Sequence, residues 1–376
     1  MSQRNTQRVT LADILHPDRN SFGVVRLAMA VAVLGSHSYF FVSGTSTAEP
    51  LHEITGHSLG EHAVQVFFFL SGILVMQSFT KSGSLIDFAT ARALRIFPGL
   101  SVCVLLTALV VGPLVSKADA WNYFTSPALP SYILKTLLLI TGSAPLPGVY
   151  TDVPALGLVN MSLWTLKYEV LCYAILGLAC ACGMMTNQNK RAGTLGLAIL
   201  VFGVFLNEPK LSEMNTAADN IRYFALYFGM GVLACQLGDR LVIYGAALLV
   251  FYVMFVAMLG TRWSELTCAL FLGYASLYVA TIDFGWIGRS MQRIDLSFGI
   301  YIYAAPIQQA LVQNFPGLRP LELAAAALVL TLGAAILSWQ WVERPALARR
   351  TVIFGAVQNA SRRVWERYVT VFGTSS

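Results

Sequence analysis

The sequence predicts an all-α polytopic membrane protein of about ten transmembrane helices, both termini cytoplasmic. Three observations predict it. Of 376 residues, 56% are hydrophobic and only 12% are charged, more apolar surface than a soluble chain of this size can hide. Apolar runs recur at lengths that cross a bilayer. Lys and Arg alternate between the intervening loops as the positive-inside rule requires.

The expected spans, in order, are Phe22–Val42, Ala63–Phe79, Pro98–Ser116, Val159–Met184, Gly193–Leu206, Tyr223–Leu237, Leu241–Leu259, Leu266–Ile282, Leu296–Asn314 and Leu321–Val342. The segment before the first span is basic (Arg4, Arg8, Arg19) and has no cleavable-signal pattern. The first loop, Ser43 to His62, holds Glu49, Glu53 and Glu61 and no Lys or Arg. The second, Lys81 to Phe97, carries Lys81, Arg92 and Arg95. Lys190 and Arg191, Arg240, then Arg289 and Arg293 mark later loops on that same side, and the tail adds Arg344, Arg349, Arg350, Arg362, Arg363 and Arg367. This distribution accounts for the net charge of +6 without nucleic acid. The long loop Lys117–Leu158 lies opposite, and its apolar stretch Tyr132–Thr141 is too short to cross, so an interfacial or re-entrant piece is expected. Residues 1–345 read as one membrane domain, and 346–376 as a short basic tail along the membrane surface. No internal repeat is visible, which weighs against a transporter built from duplicated halves. The six cysteines sit in apolar runs without metal-ligand spacing and read as small core residues.

Several residues are candidates for chemistry. Arg26 and His37 lie eleven residues apart in the first span, so both point the same way, separated by about 16 Å along the helix axis. Ionisable groups at that depth are costly unless they face protein or a polar cavity. A neutral imidazole is a good general base for a hydroxyl, the alternative being a packed histidine. Glu169, in the motif SLWTLKYE, lies at comparable depth and is the natural group to orient His37; an internal ion pair that pins helices is the alternative. Arg92 and Arg95, at i and i+3, share one helix face and suit phosphate oxygens, although basic residues gather in cytoplasmic loops for topology alone. Ser71-Gly72 inside the second span serves either close helix packing or passage of a thin ligand arm. Asp295 or Ser297 caps the ninth span. Tyr301, Tyr303, Gln308 and Gln309 are candidates for lining a polar passage, and Trp164 for contacting substrate. His52, His57 and His62 lack zinc spacing and read as solvated or rim residues, so no metal site is expected.

Taken together these residues resemble the acyltransferase-3 family of bacterial membrane O-acyltransferases. The resemblance runs nearly end to end: Arg26 and His37, VFFFLSGILV, the Arg92–Arg95 pair followed by IFPGL, SLWTLKYE, DLSFGIYIYAAPIQQ and SWQWVERP. Ala304 and Ala305 stand where many members have a histidine, so His37 acts without a second one. The resemblance implies a multi-pass inner-membrane enzyme that moves a short acyl group, acetyl or succinyl, from cytoplasmic acyl-coenzyme A. The acceptor would be a hydroxyl of a surface glycan, such as an exopolysaccharide, or of its lipid-linked precursor. Acyl-coenzyme A would be a co-substrate, with no tightly bound cofactor. In that frame Arg92 and Arg95 hold the phosphates, the pantetheine arm passes Arg26 and Ser71-Gly72, and the thioester reaches His37. The rival classes are a transporter or flippase of a lipid-linked glycan, and a membrane scaffold whose buried charges only pack helices.

Overall fold

The computed structural model describes residues 9–16, 20–142, 144–185, 189–207 and 216–358. Arg4, Arg8, Arg19, Arg362, Arg363 and Arg367, and with them most of the expected tail, lie outside these residues. The fold is helical, and the one sheet among the described residues is a two-stranded clasp, Val9–Thr10 antiparallel to Val242–Ile243. Each expected span coincides with a helix: α1 Phe22–Ser43, α2 Leu59–Ser82, α3 Leu85–Val115, α4 Met161–Ala181, α5 Lys190–Asn207, α6 Ala217–Gln236, α7 Gly245–Met258, α8 Ser264–Ala280, α9 Ser297–Asn314 and α10 Pro320–Ala348. Among the described residues, five of these (α1 to α4 and α10) are long and apolar enough to cross a membrane. The count is six if α8 and the helix Gly285–Arg293, bent by 104° from it, form one broken span.

The helix ends follow from local chemistry. Ser58 caps α2, accepting from the Glu61 amide while the Glu61 carboxylate accepts from the Ser58 amide. Gly83, at φ 61°, stops α2 in the left-handed conformation that costs glycine least. Both long interruptions are π-type turns before a proline. Thr107–Val111 precedes Pro113, and the freed Ala108 carbonyl accepts from the buried Tyr123 hydroxyl at 2.7 Å. Trp339–Glu343 precedes Pro345 in the same way and turns Glu343 inward. α3 begins thirteen residues before the expected Pro98, so Arg92 and Arg95 stand within a helix and not in a loop.

α2 is the central helix and packs most extensively on α6. That contact is glycine-mediated: a Cβ on Gly72 would lie 2.1 Å from the Phe228 carbonyl oxygen, and one on Gly231 would lie 1.9 Å from that of Phe69. α1, α9 and α10 pack together on the other flank. One end of the bundle is tied by Gln77 to Leu15, Ser21 to Ile282, Gln292 to Asn20, and Arg350 to Asp87. These bonds gather the starts of α1 and α3 with the ends of α2, α8 and α10. We call it the Arg26 end, and the opposite one the His37 end. The long loop folds onto the bundle through a short helix, Ala128–Leu137, that buries Tyr132 and Thr136 while exposing Leu134 and, just beyond it, Leu138 and Ile140. Tyr150 donates to the Pro306 carbonyl, and Gln309 donates to Ala155 and Leu158. All six cysteines are free; Cys103, Cys172, Cys180 and Cys268 are buried, Cys235 is half-buried, and Cys182 is exposed, so Cys182 is not a core residue.

Candidate functional site

Two cavities lie in line between α1, α2, α4 and α9. The one toward the His37 end has a volume of about 180 Å³ and is lined by His37, Ser36, Glu61, Ser162, Trp164 and Tyr223, among others. The smaller, about 60 Å³, is lined by Arg26, Glu169, Ser297, Phe298 and their neighbours. Val64, Thr165 and Tyr301 border both. Between them the Thr165 and Tyr301 hydroxyls share a 2.6 Å hydrogen bond. The two cavities thus adjoin across a wall that contains this polar contact, and together we call them the path.

The Arg26 end of this path is an ion-pair network. Asp295 Oδ2 accepts from Arg26 Nη1 and from Arg95 Nη2, each at 2.6 Å. Its other oxygen accepts from the Ser297 amide and hydroxyl, at 3.2 and 2.5 Å. Burial opposes a charge on Asp295, yet the two guanidinium groups hold it well below the usual carboxylate range. Arg95 also reaches Glu343 at 3.3 Å, and Glu343 accepts from Ser338 at 2.9 Å. The N-cap position of α9 falls to Leu296 without a side-chain cap, and Asp295 instead bonds Ser297 and joins α1, α3 and α9. Glu343, 1% exposed, is a member of this network that sequence reasoning missed, although it sits in SWQWVERP.

Arg92 and Arg95 do not act as a matched pair. Arg95 is bound by carboxylates, whereas Arg92 has no carboxylate at ion-pair distance among the described residues. Arg92 lies over the Tyr173 ring, 5.9 Å from its centroid, with a 3.5 Å contact to Ser78, and its buried Nε has no partner.

His37 and Glu169 are not brought together. Glu169 accepts from Ser71 at 3.2 Å and, in a short bond, from Tyr173. Ser71 and Tyr173 also share a 2.8 Å bond. His37 borders the other cavity; its Nδ1 is buried without a hydrogen-bond partner, and its ring meets Phe41 edge-on. Ser71 thus faces Glu169, while Gly72 packs closely against α6. Trp164 and Tyr301 line the path. Tyr303 bonds to Ser338 beside a separate apolar cavity, and Gln308 is buried, donating to Leu34 and Ser38. Neither borders the path.

The histidines of the first loop differ from the sequence reading. His57 and His62 are buried, 3% and 7% exposed, and only His52 is partly open. His57 Nε2 lies 2.5 Å from Glu265 Oε1, and its Nδ1 lies 3.9 Å from Glu61 Oε1. Burial alone would lower the His57 pKa, but hydrogen bonds and charge from Glu265 and Glu61 outweigh it and raise the group to about 10. His62 bridges Thr55 and Gln65, and Gln65 reaches Tyr223 in a short bond. Glu265 is 208 residues away from His57, so sequence spacing carries no signal of this cluster. No group of three His, Cys, Asp or Glu suited to a metal ion occurs among the described residues.

Comparison with known proteins gives a family and two relatives. The acyltransferase domain family matches residues 19–339. An O-acetyl transferase of Shigella phage Sf6 is 31% identical over 343 residues, covering 88% of this chain and 96% of the relative. Nodulation protein 10 of Rhizobium leguminosarum bv. viciae is 27% identical over 370 residues, covering 89% and 94%. No solved structure matches.

Proposed function

The chain belongs to the acyltransferase-3 family, and we propose that it is an inner-membrane O-acyltransferase moving acetyl, or another short acyl group such as succinyl, from cytoplasmic acyl-coenzyme A to a hydroxyl of a surface glycan or its lipid-linked precursor. The observation that carries this reading is the pair of adjoining cavities, one at the arginine-rich end and one beside a histidine whose buried Nδ1 has no partner. The phage relative's name, O-acetyl transferase, favours acetyl and an oxygen acceptor. The proposal includes ten crossings, with the Arg26 end cytoplasmic and residues 346–376 a short tail there, a reading that the coincidence of ten helices with ten apolar runs and the alternation of basic loops support.

The donor enters from the Arg26 end. Arg92, with no carboxylate at ion-pair distance among the described residues, takes a phosphate oxygen directly; Arg95 and Arg26, paired with Asp295 and Glu343, hold the helices around it. The acyl-bearing arm parts the Thr165–Tyr301 bond, a neutral contact of about 1 kcal/mol. In the far cavity the acceptor hydroxyl attacks the thioester carbonyl as the His37 imidazole takes its proton. A C–O ester bond forms, the C–S bond breaks, and the proton passes to the departing coenzyme A sulfur. Glu169, bound to Ser71 and Tyr173, contributes negative charge to the passage and does not orient His37.

The test uses purified protein in lipid nanodiscs with labelled acetyl-coenzyme A and bacterial surface glycans. Label appearing in alkali-labile ester on glycan supports the reading. Absence of coenzyme A binding sinks it; glycan movement in vesicles without any acyl donor would then favour a flippase. Intact mass after mixing with donor alone distinguishes direct transfer from an acyl-enzyme on His37 or Ser71.

A further inference from the structure

The far cavity carries information about the acceptor, if the acyl-transfer reading above holds. Its lining residues include one carboxylate, Glu61, and no Lys or Arg. The Glu61 side chain is one-third exposed. Its Oε2 is held by the Ser58 amide and hydroxyl at 2.6 and 3.0 Å, which fixes the carboxylate at the start of α2. Behind it stand His57, cationic at neutral pH, and Glu265. One cation between two carboxylates leaves that wall of the cavity net negative.

A second observation points to a ligand. Ser162 borders the same cavity and is 1% exposed, yet its hydroxyl has no hydrogen-bond partner. Buried hydroxyls in native structures are nearly always paired, so an unpaired one beside a cavity is a place for a ligand's own hydroxyl. Between these polar groups Trp164 and Phe224, with ring centroids 5.5 Å apart, supply apolar surface of the size of a sugar ring's C–H face.

We infer that the cavity around His37 is an acceptor subsite for an uncharged sugar ring, with Glu61 and Ser162 as positioning residues that bond its hydroxyls. A carboxylate accepts hydroxyl protons well and repels an anionic neighbour, so rings bearing a uronate or phosphate are excluded by charge. The path thereby sorts its substrates: anionic donor from the arginine-rich end, neutral acceptor at the carboxylate end.

The experiment uses protein in lipid nanodiscs, labelled acetyl-coenzyme A and a pool of surface glycans from several Gram-negative bacteria. Tandem mass spectrometry then identifies the ring that carries the label. The expected ring is neutral. Glu61→Gln preserves the helix cap, since glutamine serves that position too, and raises the glycan KM about tenfold with kcat and coenzyme A affinity little changed. Ser162→Ala breaks no bond in the folded protein, so thermal stability holds while glycan KM rises several-fold. Label mainly on uronate or phosphorylated rings, or glycan KM unmoved in both variants, overturns the inference. No label on any glycan overturns the acyl-transfer reading, and this inference with it.

Discussion

The two ends of the path differ in how their central polar groups are partnered. At the Arg26 end, Asp295 is shared by two guanidinium groups and Glu343 closes the network on Arg95. At the His37 end, the His37 Nδ1 and the Ser162 hydroxyl have no partner. Satisfied ion pairs hold helices in place; unsatisfied polar atoms beside a cavity await a substrate. The contrast separates the charged residues of a family motif that are scaffold from those that are chemistry. On the proposed reading, Arg26, Arg95 and Asp295 hold the fold, whereas His37 and Arg92 meet the reactants.

The largest effect expected from this division is on turnover. His37→Gln is expected to lower acyl transfer by at least about 100-fold, with thermal stability unchanged, because Nδ1 makes no bond to lose. Next is a loss of stability at the other end. Asp295→Asn leaves two guanidinium groups without their shared carboxylate and is expected to cost roughly 3 kcal/mol, read as a lower midpoint of denaturation in mild detergent. If Asp295→Asn left stability intact and removed only turnover, the division between scaffold and chemistry would fail. Arg92→Gln is expected to weaken coenzyme A binding about tenfold with the fold preserved, measured by calorimetry.

A pH series probes the cluster behind Glu61. The His57 pKa is raised from an ordinary 6.5 to about 10. Its contribution to stability is therefore fully present below about 6.5 and lost as pH rises through about 10. The melting temperature should fall between about pH 7 and about pH 10.5 in the wild type and fall less in His57→Gln. The smallest effect concerns the constriction. Thr165→Val removes one neutral hydrogen bond and is expected to change turnover by no more than about threefold.

Much of the fold is legible in the sequence because ten apolar runs mark ten helices whatever their neighbours do. What escapes the sequence depends on distant partners. The first half of α3 carries Asp87, Arg92 and Arg95, and hydropathy places the start at Pro98. The helix extends further because partners far along the chain neutralise its charges: Arg350 meets Asp87, and Asp295 and Glu343 meet Arg95. His57 reads as solvated for the same reason, its partner Glu265 lying on α8. At the site, the spacing of Arg26 and His37 along α1 is readable from helix geometry, whereas Glu169, expected level with His37, borders the Arg26-end cavity instead. The face each side chain turns to is not readable: Glu169 turns toward Ser71 and Tyr173, and Gly72 toward Phe228.

The most direct test of His37 as the group that does the chemistry compares wild type with His37→Ala in lipid, with labelled acetyl-coenzyme A, bacterial glycans and coenzyme A binding measured on the same samples. Label on glycan with the wild type alone, and coenzyme A bound by both proteins, is the expected result. Equal transfer by the two proteins would contradict it.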